Sequence, residues 1–212
     1  MKRLLMTLGV VVALAAFAAP AHAVLYSFAC ITDNGNGCDL LAPQLQVDVT
    51  DGAGDTVDFT FYNNVGIESS ITDVYFDDGT LLAITNITGS AGVAFASPAT
   101  PGDLPGGNNA SPDFVADFSA DSDAPITDNG VDALGEFLTI SFSLDGVTYA
   151  DTLAALDSGA LRIGLHVQSI GSEGGSDSLV NNPGAPIPEP GTLLLLGAGL
   201  TGLASWRRRR SA

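Results

Sequence analysis

One strip of the sequence gathers the side chains best suited to polar chemistry: Leu161-Arg162-Ile163-Gly164-Leu165-His166-Val167-Gln168. Read as a strand, it puts Arg162, His166 and Gln168 on one face with Gly164, and Ile163, Leu165 and Val167 on the other. A guanidinium, an imidazole and an amide on one face could hold an anionic or a sugar ligand. These three are therefore the ligand-binding candidates. The plainer alternative is a polar outer face in which Arg162 pairs with an acid, and it is preferred.

Nucleophilic catalysis needs a base beside a serine, threonine or cysteine. His166 is the only histidine besides His22, which lies in the leading segment. Glycoside hydrolysis needs two facing carboxylates, and the 24 acids of this chain single out no pair. No GxSxG, HExxH or phosphate-loop pattern is present. No catalytic residue is assigned, and the chain is not read as an enzyme.

The acids suggest calcium more than catalysis. Asp33 to Asp39, Asp51 to Asp55 and Asp117 to Asp123 place oxygen ligands on turn-like segments. None has the alternating ligands, sixth-position glycine and twelfth-position glutamate of an EF-hand loop. Aspartate and asparagine favour turns in any case. No metal site and no cofactor are assigned, with calcium as the alternative to general screening by cations.

The charge excludes more than it selects. Residues 24–185 hold 23 acids and a single arginine, a formal charge of −22. No patch is available to neutralise phosphates, so nucleic acid is excluded as a partner. Binding to anionic membrane surfaces is disfavoured for the same reason. About 160 residues suffice for one domain with a real core.

Cys30 and Cys38 flank the turn-rich Ile31-Thr32-Asp33-Asn34-Gly35-Asn36-Gly37. In an oxidising compartment this spacing predicts a disulfide across a small loop. A metal or redox role is not supported, because the spacing is not CxxC and no histidine lies nearby.

The elements that must position these residues read as strands. Val57-Asp58-Phe59-Thr60-Phe61-Tyr62 alternates strictly, as do Leu138 to Leu144 and Leu45 to Val49. Val24 to Phe28, Val93 to Phe95, Phe114 to Phe118 and Leu161 to Ile170 are further strands. Val74-Tyr75-Phe76 and Leu81 to Ile84 flank Asp78-Gly79, which predicts a tight hairpin. A short helix is expected near Ala150 to Leu156, with Gly159 past its end. Ser97 to Asn109 is a Pro/Gly-rich surface loop. Gly171 to Ala185 is polar and glycine-rich, and its second half reads as a linker. The fold class is all-β: an antiparallel β-sandwich, or its jelly-roll-like variant, with one short helix.

The two ends differ from the middle. Met1-Lys2-Arg3, the apolar run Leu4 to Ala19 and Ala21-His22-Ala23 form a signal peptide, 1–23, cut before Val24. That implies Sec-type export. At the other end, Pro186-Ile187-Pro188-Glu189-Pro190-Gly191 is stiff and non-helical. Thr192 to Trp206 is apolar or small throughout, 15 residues that span ~23 Å as a helix. This is marginal against a hydrocarbon core of ~30 Å. Arg207, Arg208, Arg209 and Arg210 follow, and such clusters stay on the cytoplasmic side. The domains are thus 1–23, 24–185 and 186–212.

The closing segment resembles the PEP-CTERM sorting signal of exosortase substrates, with Pro188, Glu189, Pro190 and Gly191 as its motif. The resemblance implies a bacterial envelope or matrix protein, recognised by a membrane-embedded exosortase and cut near that motif. It also implies transient anchoring in the inner membrane and a link to exopolysaccharide and biofilm. The stretches Val74 to Leu82, Leu104 to Asn108 and Leu161 to Ile170 resemble secreted all-β domains found ahead of such tails, which imply no activity. A carbohydrate-binding module, with Tyr26, Tyr62, Tyr75 and Tyr149 as stacking platforms, is the alternative. A secreted hydrolase is the third reading.

Overall fold

The computed structural model describes residues 24–187 apart from 36, 65 and 78. The signal peptide 1–23, the motif residues from Pro188 onward, the segment 192–206 and the arginines 207–210 lie outside the described residues. Strands run over Val24–Cys30 (β1), Leu45–Asp51 (β2), Thr56–Asn63 (β3), Ser70–Asp77 (β4) and Ala83–Gly89 (β5). They continue with Phe95–Ala96 (β6), Phe118–Ser122 (β7), Leu138–Ser143 (β8), Arg162–Ile170 (β9) and Gly175–Ile187 (β10). A four-residue helix, Cys38–Leu41 (α1), and a ten-residue helix, Tyr149–Ser158 (α2), complete the fold.

All ten strands belong to one antiparallel sheet, in the order β5-β8-β3-β2-β1-β10-β9-β4-β7-β6. The sheet rolls until its halves face one another and β5 and β6, at its ends, come into contact. The fold is all-β, and its two layers are one nearly closed sheet. Phe76 of β4 shows the closure most directly. Its ring lies 5.1 Å from Phe59 and 6.2 Å from Phe61 on β3, and 4.7 Å from Phe142 on β8. None of these strands neighbours β4 in the sheet, so the contacts cross the interior. Each pair meets edge to face, the arrangement ring quadrupoles favour.

Alternation explains the strands that cover this core on one side. Val57, Phe59 and Phe61 of β3, Leu45, Val47 and Val49 of β2, and Leu138, Ile140 and Phe142 of β8 are all buried. Their alternate neighbours remain partly exposed. β4 departs from the pattern and is buried from Ser70 through Phe76. Its inner face supplies Val74 and Phe76 to the main core, and its outer face is covered by other parts of the chain.

Three sequence expectations are corrected. The Asp78-Gly79 hairpin does not form. β4 pairs with β7 and β9, and β5 pairs with β8 on the facing layer. The segment between them crosses from one layer to the other. The expected linker within 171–185 is instead β10, which occupies the middle of the sheet between β1 and β9 and runs to Ile187. The strand expected at Phe114 to Phe118 begins only at Phe118.

α2 starts at Thr148, whose side chain accepts from the Asp151 N–H while the Asp151 carboxylate accepts from the Thr148 N–H. This reciprocal cap satisfies two otherwise open donors. Gly159, at φ 75°, closes the helix in the left-handed conformation that glycine adopts without strain. Among the described residues no helix is long and apolar enough to cross a membrane.

Phe76→Ala removes the ring that bridges the layers and should cost about 3–5 kcal/mol, read by chemical denaturation of the mature protein. A loss below ~1 kcal/mol would mean that the layers are held elsewhere.

Candidate functional site

The outer face of β4, β9 and β10 holds the sequence candidates. The segment 97–117 lies across it as a cap. Ala99, Leu104 and Phe114 of the cap bury against Tyr75, forming a second small core outside the sheet. The Pro/Gly-rich stretch is thus packed structure, with Leu104 at 3% exposure. Gly164 makes that packing possible. A Cβ there would stand 2.7 Å from Leu104 Cδ2 and 3.1 Å from Phe114 Cζ.

Arg162 fastens one end of the cap. Its guanidinium pairs with Asp77 across the β4–β9 register and donates to the carbonyls of Pro112 and Asp113, both at 2.6 Å. It also lies over the Phe114 ring, 5.3 Å from the centroid. The only arginine of residues 24–185 is therefore occupied in holding structure together.

His166 and Gln168 belong to a different cluster on the same face. His166 Nδ1 lies 2.9 Å from Asp73 Oδ2, which also accepts from the Thr72 hydroxyl at 2.7 Å. Gln168 Nε2 donates to Thr72 Oγ1 at 3.0 Å. The Tyr75 hydroxyl donates to the Pro101 carbonyl at 3.0 Å, tying the cluster to the cap. Burial and the nearby Asp73 carboxylate push the Tyr75 phenol well above its ordinary range.

His166 stands between two clefts. The smaller, about 80 Å³, is lined by Thr72, Asp73, Thr100, Asp121 and Gln168. The larger, about 240 Å³, is lined by Thr32, Asn34, Gly106, Asp177 and Ser178. Asp177 is 1% exposed. Its Oδ1 accepts from the Thr32 hydroxyl and the Asn34 N–H, each at 2.9 Å, and its buried Oδ2 finds no partner among the described residues. Such walls suit hydrogen bonding to a small polar molecule. Arg162 stands apart from both clefts, so the three candidates share a face without sharing a site. Asp73 and Asp177 were not singled out from sequence. Asp73 carried a signal, as an acid interrupting the apolar run Ile71 to Phe76.

Cys30 and Cys38 form a disulfide with Cα atoms 6.1 Å apart. It closes the turn that supplies Thr32 and Asn34 to the larger cleft. The acidic loops stay apart, and among the described residues no three His, Cys, Asp or Glu side chains converge on one point. Of the four tyrosines offered as stacking platforms, Tyr26 and Tyr75 are wholly buried. Tyr149 lines a separate cleft of about 380 Å³ with Asp51, Asp55 and Thr148, and Tyr62 is half-buried on β3.

A further cleft of about 190 Å³ holds Glu68, Asp128 and Asp132. Partial burial, the Glu136 carboxyl bonded to it and nearby Asp128 push the Asp132 carboxyl up to about 6.

Comparison with known families decides the chain's address. Residues 186–210 match the family model of the PEP-CTERM protein-sorting motif. The chain carries the sorting signal of exosortase substrates, proteins exported and sorted to the cell envelope or surface. The match begins at Pro186, inside the described end of β10. Comparison with curated proteins and with solved structures returned no match.

Gly164→Ala should displace Leu104 and cost about 1–3 kcal/mol, with faster proteolysis within 97–117. Unchanged stability and proteolysis would show that the cap does not depend on this close approach. For Asp132, the folded-state value stands above the ordinary 3.8. Its stabilising contribution is therefore full below 3.8 and is lost as pH rises through about 6. Asp132→Asn should leave acid stability nearly unchanged and raise stability at neutral pH. Parallel melts of both proteins from acid to neutral pH read this, and equal pH slopes would refute it.

Proposed function

We propose that this protein is a non-enzymatic component of the bacterial cell surface or extracellular matrix. Residues 1–23 direct it to Sec-type export and are removed in the process. The apolar segment 192–206 then holds it transiently in the inner membrane, with Arg207, Arg208, Arg209 and Arg210 on the cytoplasmic side. The exosortase reads Pro188, Glu189 and Pro190 and cuts nearby. The mature domain then joins an exopolysaccharide-rich matrix or biofilm.

The motif match at 186–210 carries this reading. Its sorting step follows from that family. The role after sorting rests on the character of the domain. The lone arginine of residues 24–185 secures the cap, and no group of three ligating side chains converges among the described residues. An excess of acids then favours solubility and a diffuse cloud of counter-cations. We propose no resident cofactor, with calcium as the alternative to general screening by cations. The clefts beside His166 favour a hydroxyl-rich ligand over an anion, because Asp73, Asp121 and Asp177 line them. That keeps sugar binding as the second reading, without the aromatic platforms Tyr26 and Tyr75.

Glu189→Ala in the native host should abolish C-terminal processing and leave the protein in the inner-membrane fraction. Intact mass and fractionation read both effects. A normally shortened, normally located protein would remove Glu189 from recognition.

A further inference from the structure

The end of β10 is the point where the folded domain meets the sorting signal, and its pairing is unlike the rest of the strand. From Gly175 to Val180, β10 pairs with β9, and from Leu179 to Asn181 it also pairs with Cys30, Ala29 and Phe28 of β1. Beyond Asn181 no β9 partner remains. On the β1 side the register then breaks, and only two more pairs form, Tyr26 with Pro186 and Leu25 with Ile187. Pro183 and Pro186 have no N–H to give the ladder. Past the break, residues 182–187 are thus held by two backbone pairs, by the Asn182 Nδ2 bond to Ser27 Oγ at 3.0 Å, and by the close approach of Pro183 to Gly159 at the end of α2. Segments of this kind open at far lower cost than the whole fold.

Distance makes that opening matter. Four residues, Pro188-Glu189-Pro190-Gly191, separate Ile187 from the apolar segment. Fully extended they reach ~14 Å. A membrane-embedded enzyme must therefore engage a motif that begins one residue beyond a formed sheet. Peptide-processing sites generally take several substrate residues in extended form with their backbone groups free. Releasing the six residues 182–187 adds ~20 Å of reach and more than doubles the spacing.

We propose that the form cut by the exosortase is a locally opened one, in which residues 182–187 have left β1 while the rest of the sheet stays folded. The pairing of Leu25 and Tyr26 with the end of β10 then sets the rate of sorting. Because Val24 is the first residue after the expected signal-peptide cut, the same two pairs bring both processing sites to one end of the sheet. The inference rests on the exosortase reading above. It adds no chemistry to the cut itself and concerns only the substrate's conformation.

A crosslink tests it. Antiparallel partners lie ~4.5–5.5 Å apart between Cα atoms, within the span a disulfide bridges. Leu25→Cys with Ile187→Cys should staple the segment shut in the oxidising envelope, with non-reducing peptide mapping to verify the new bond beside Cys30–Cys38. The oxidised double variant should lose C-terminal processing, while each single variant is processed like wild type. A further variant inserts six Gly/Ser residues between Ile187 and Pro188 of the stapled protein and should recover processing. Stapled protein cut at the wild-type rate would overturn the proposal. So would failure of the inserted spacer to rescue it, since the block would then not be one of reach. An unprocessed wild-type chain would instead overturn the sorting reading itself, and the control lane separates the two failures.

Discussion

The pairing of β1 with β10 is the constraint on which the architecture depends. These strands come from opposite ends of the domain, yet they lie side by side in the middle of the sheet order. On one side the order runs through β2, β3, β8 and β5, and on the other through β9, β4, β7 and β6. Without this seam the halves would be two open sheets with unpaired edges, a hazard in any exported chain. The seam is reinforced where it is strongest. Cys30 ends β1 at the Leu179 pair, and the disulfide loop behind it donates Ile31 and Thr32 N–H groups to the Ser178 carbonyl. Such long-range pairing makes folding depend on the last strand made.

Much of the architecture was legible wherever one face of a strand meets water. β2, β3 and β8 alternate because their outer faces are solvated, so pattern and burial coincide. The capping of α2 was legible from Gly159 for a similarly local reason. β10 was illegible because its burial is polar. Asp177, Ser178 and Asn181 are each at or below 2% exposure. Asp177 and Asn181 are accommodated by side-chain bonds to Thr32, Asn34 and the Ile163 N–H. A run of Ser, Asp and Asn predicts a turn when read locally, and only distant partners make it a strand. The hairpin expected between β4 and β5 fails for the same reason. Asp78-Gly79 suits a tight turn, but Phe76 is drawn to Phe142, and the chain leaves β4 for the opposite layer.

The candidate face was legible in part. Strand periodicity put Arg162, His166 and Gln168 on one side, and the structure places them there. It could not show that the Pro/Gly-rich segment covers this side and divides it, with Arg162 under one end and His166 between two clefts. Gly164 is the residue that joins the two facts. Its missing side chain admits Leu104 and Phe114, so one glycine in a strand marks a second layer of packing rather than a weak point. Asp73 meets the imidazole from β4, and Asp177 of β10 lines the larger cleft beside it; strand periodicity carries no information about such neighbours.

Charge completes the account of why a domain of this kind stands next to a sorting signal. With Arg162 engaged, the surface is acidic throughout, and Asp51, Asp55, Asp145 and Asp151 are all exposed. Register puts Asp51 two residues beyond the Val24–Val49 pair, at the end of the sheet from which β1 begins and β10 departs. Asp55 and Asp145 flank the Leu144 N–H bond to the Asp55 carbonyl at that same end. An anionic lipid surface repels such an end over about a Debye length, ~8 Å at physiological salt. In the proposed membrane-held form the motif spans ~14 Å at most, so the repulsion is strongest when the motif is folded back and is largely screened when it is fully extended. On that proposed route it favours extension of the residues that connect domain and anchor. On the proposed route, the same charge that opposes settling on the bilayer therefore biases the chain toward the exposed, extended motif that the proposed opened form presents.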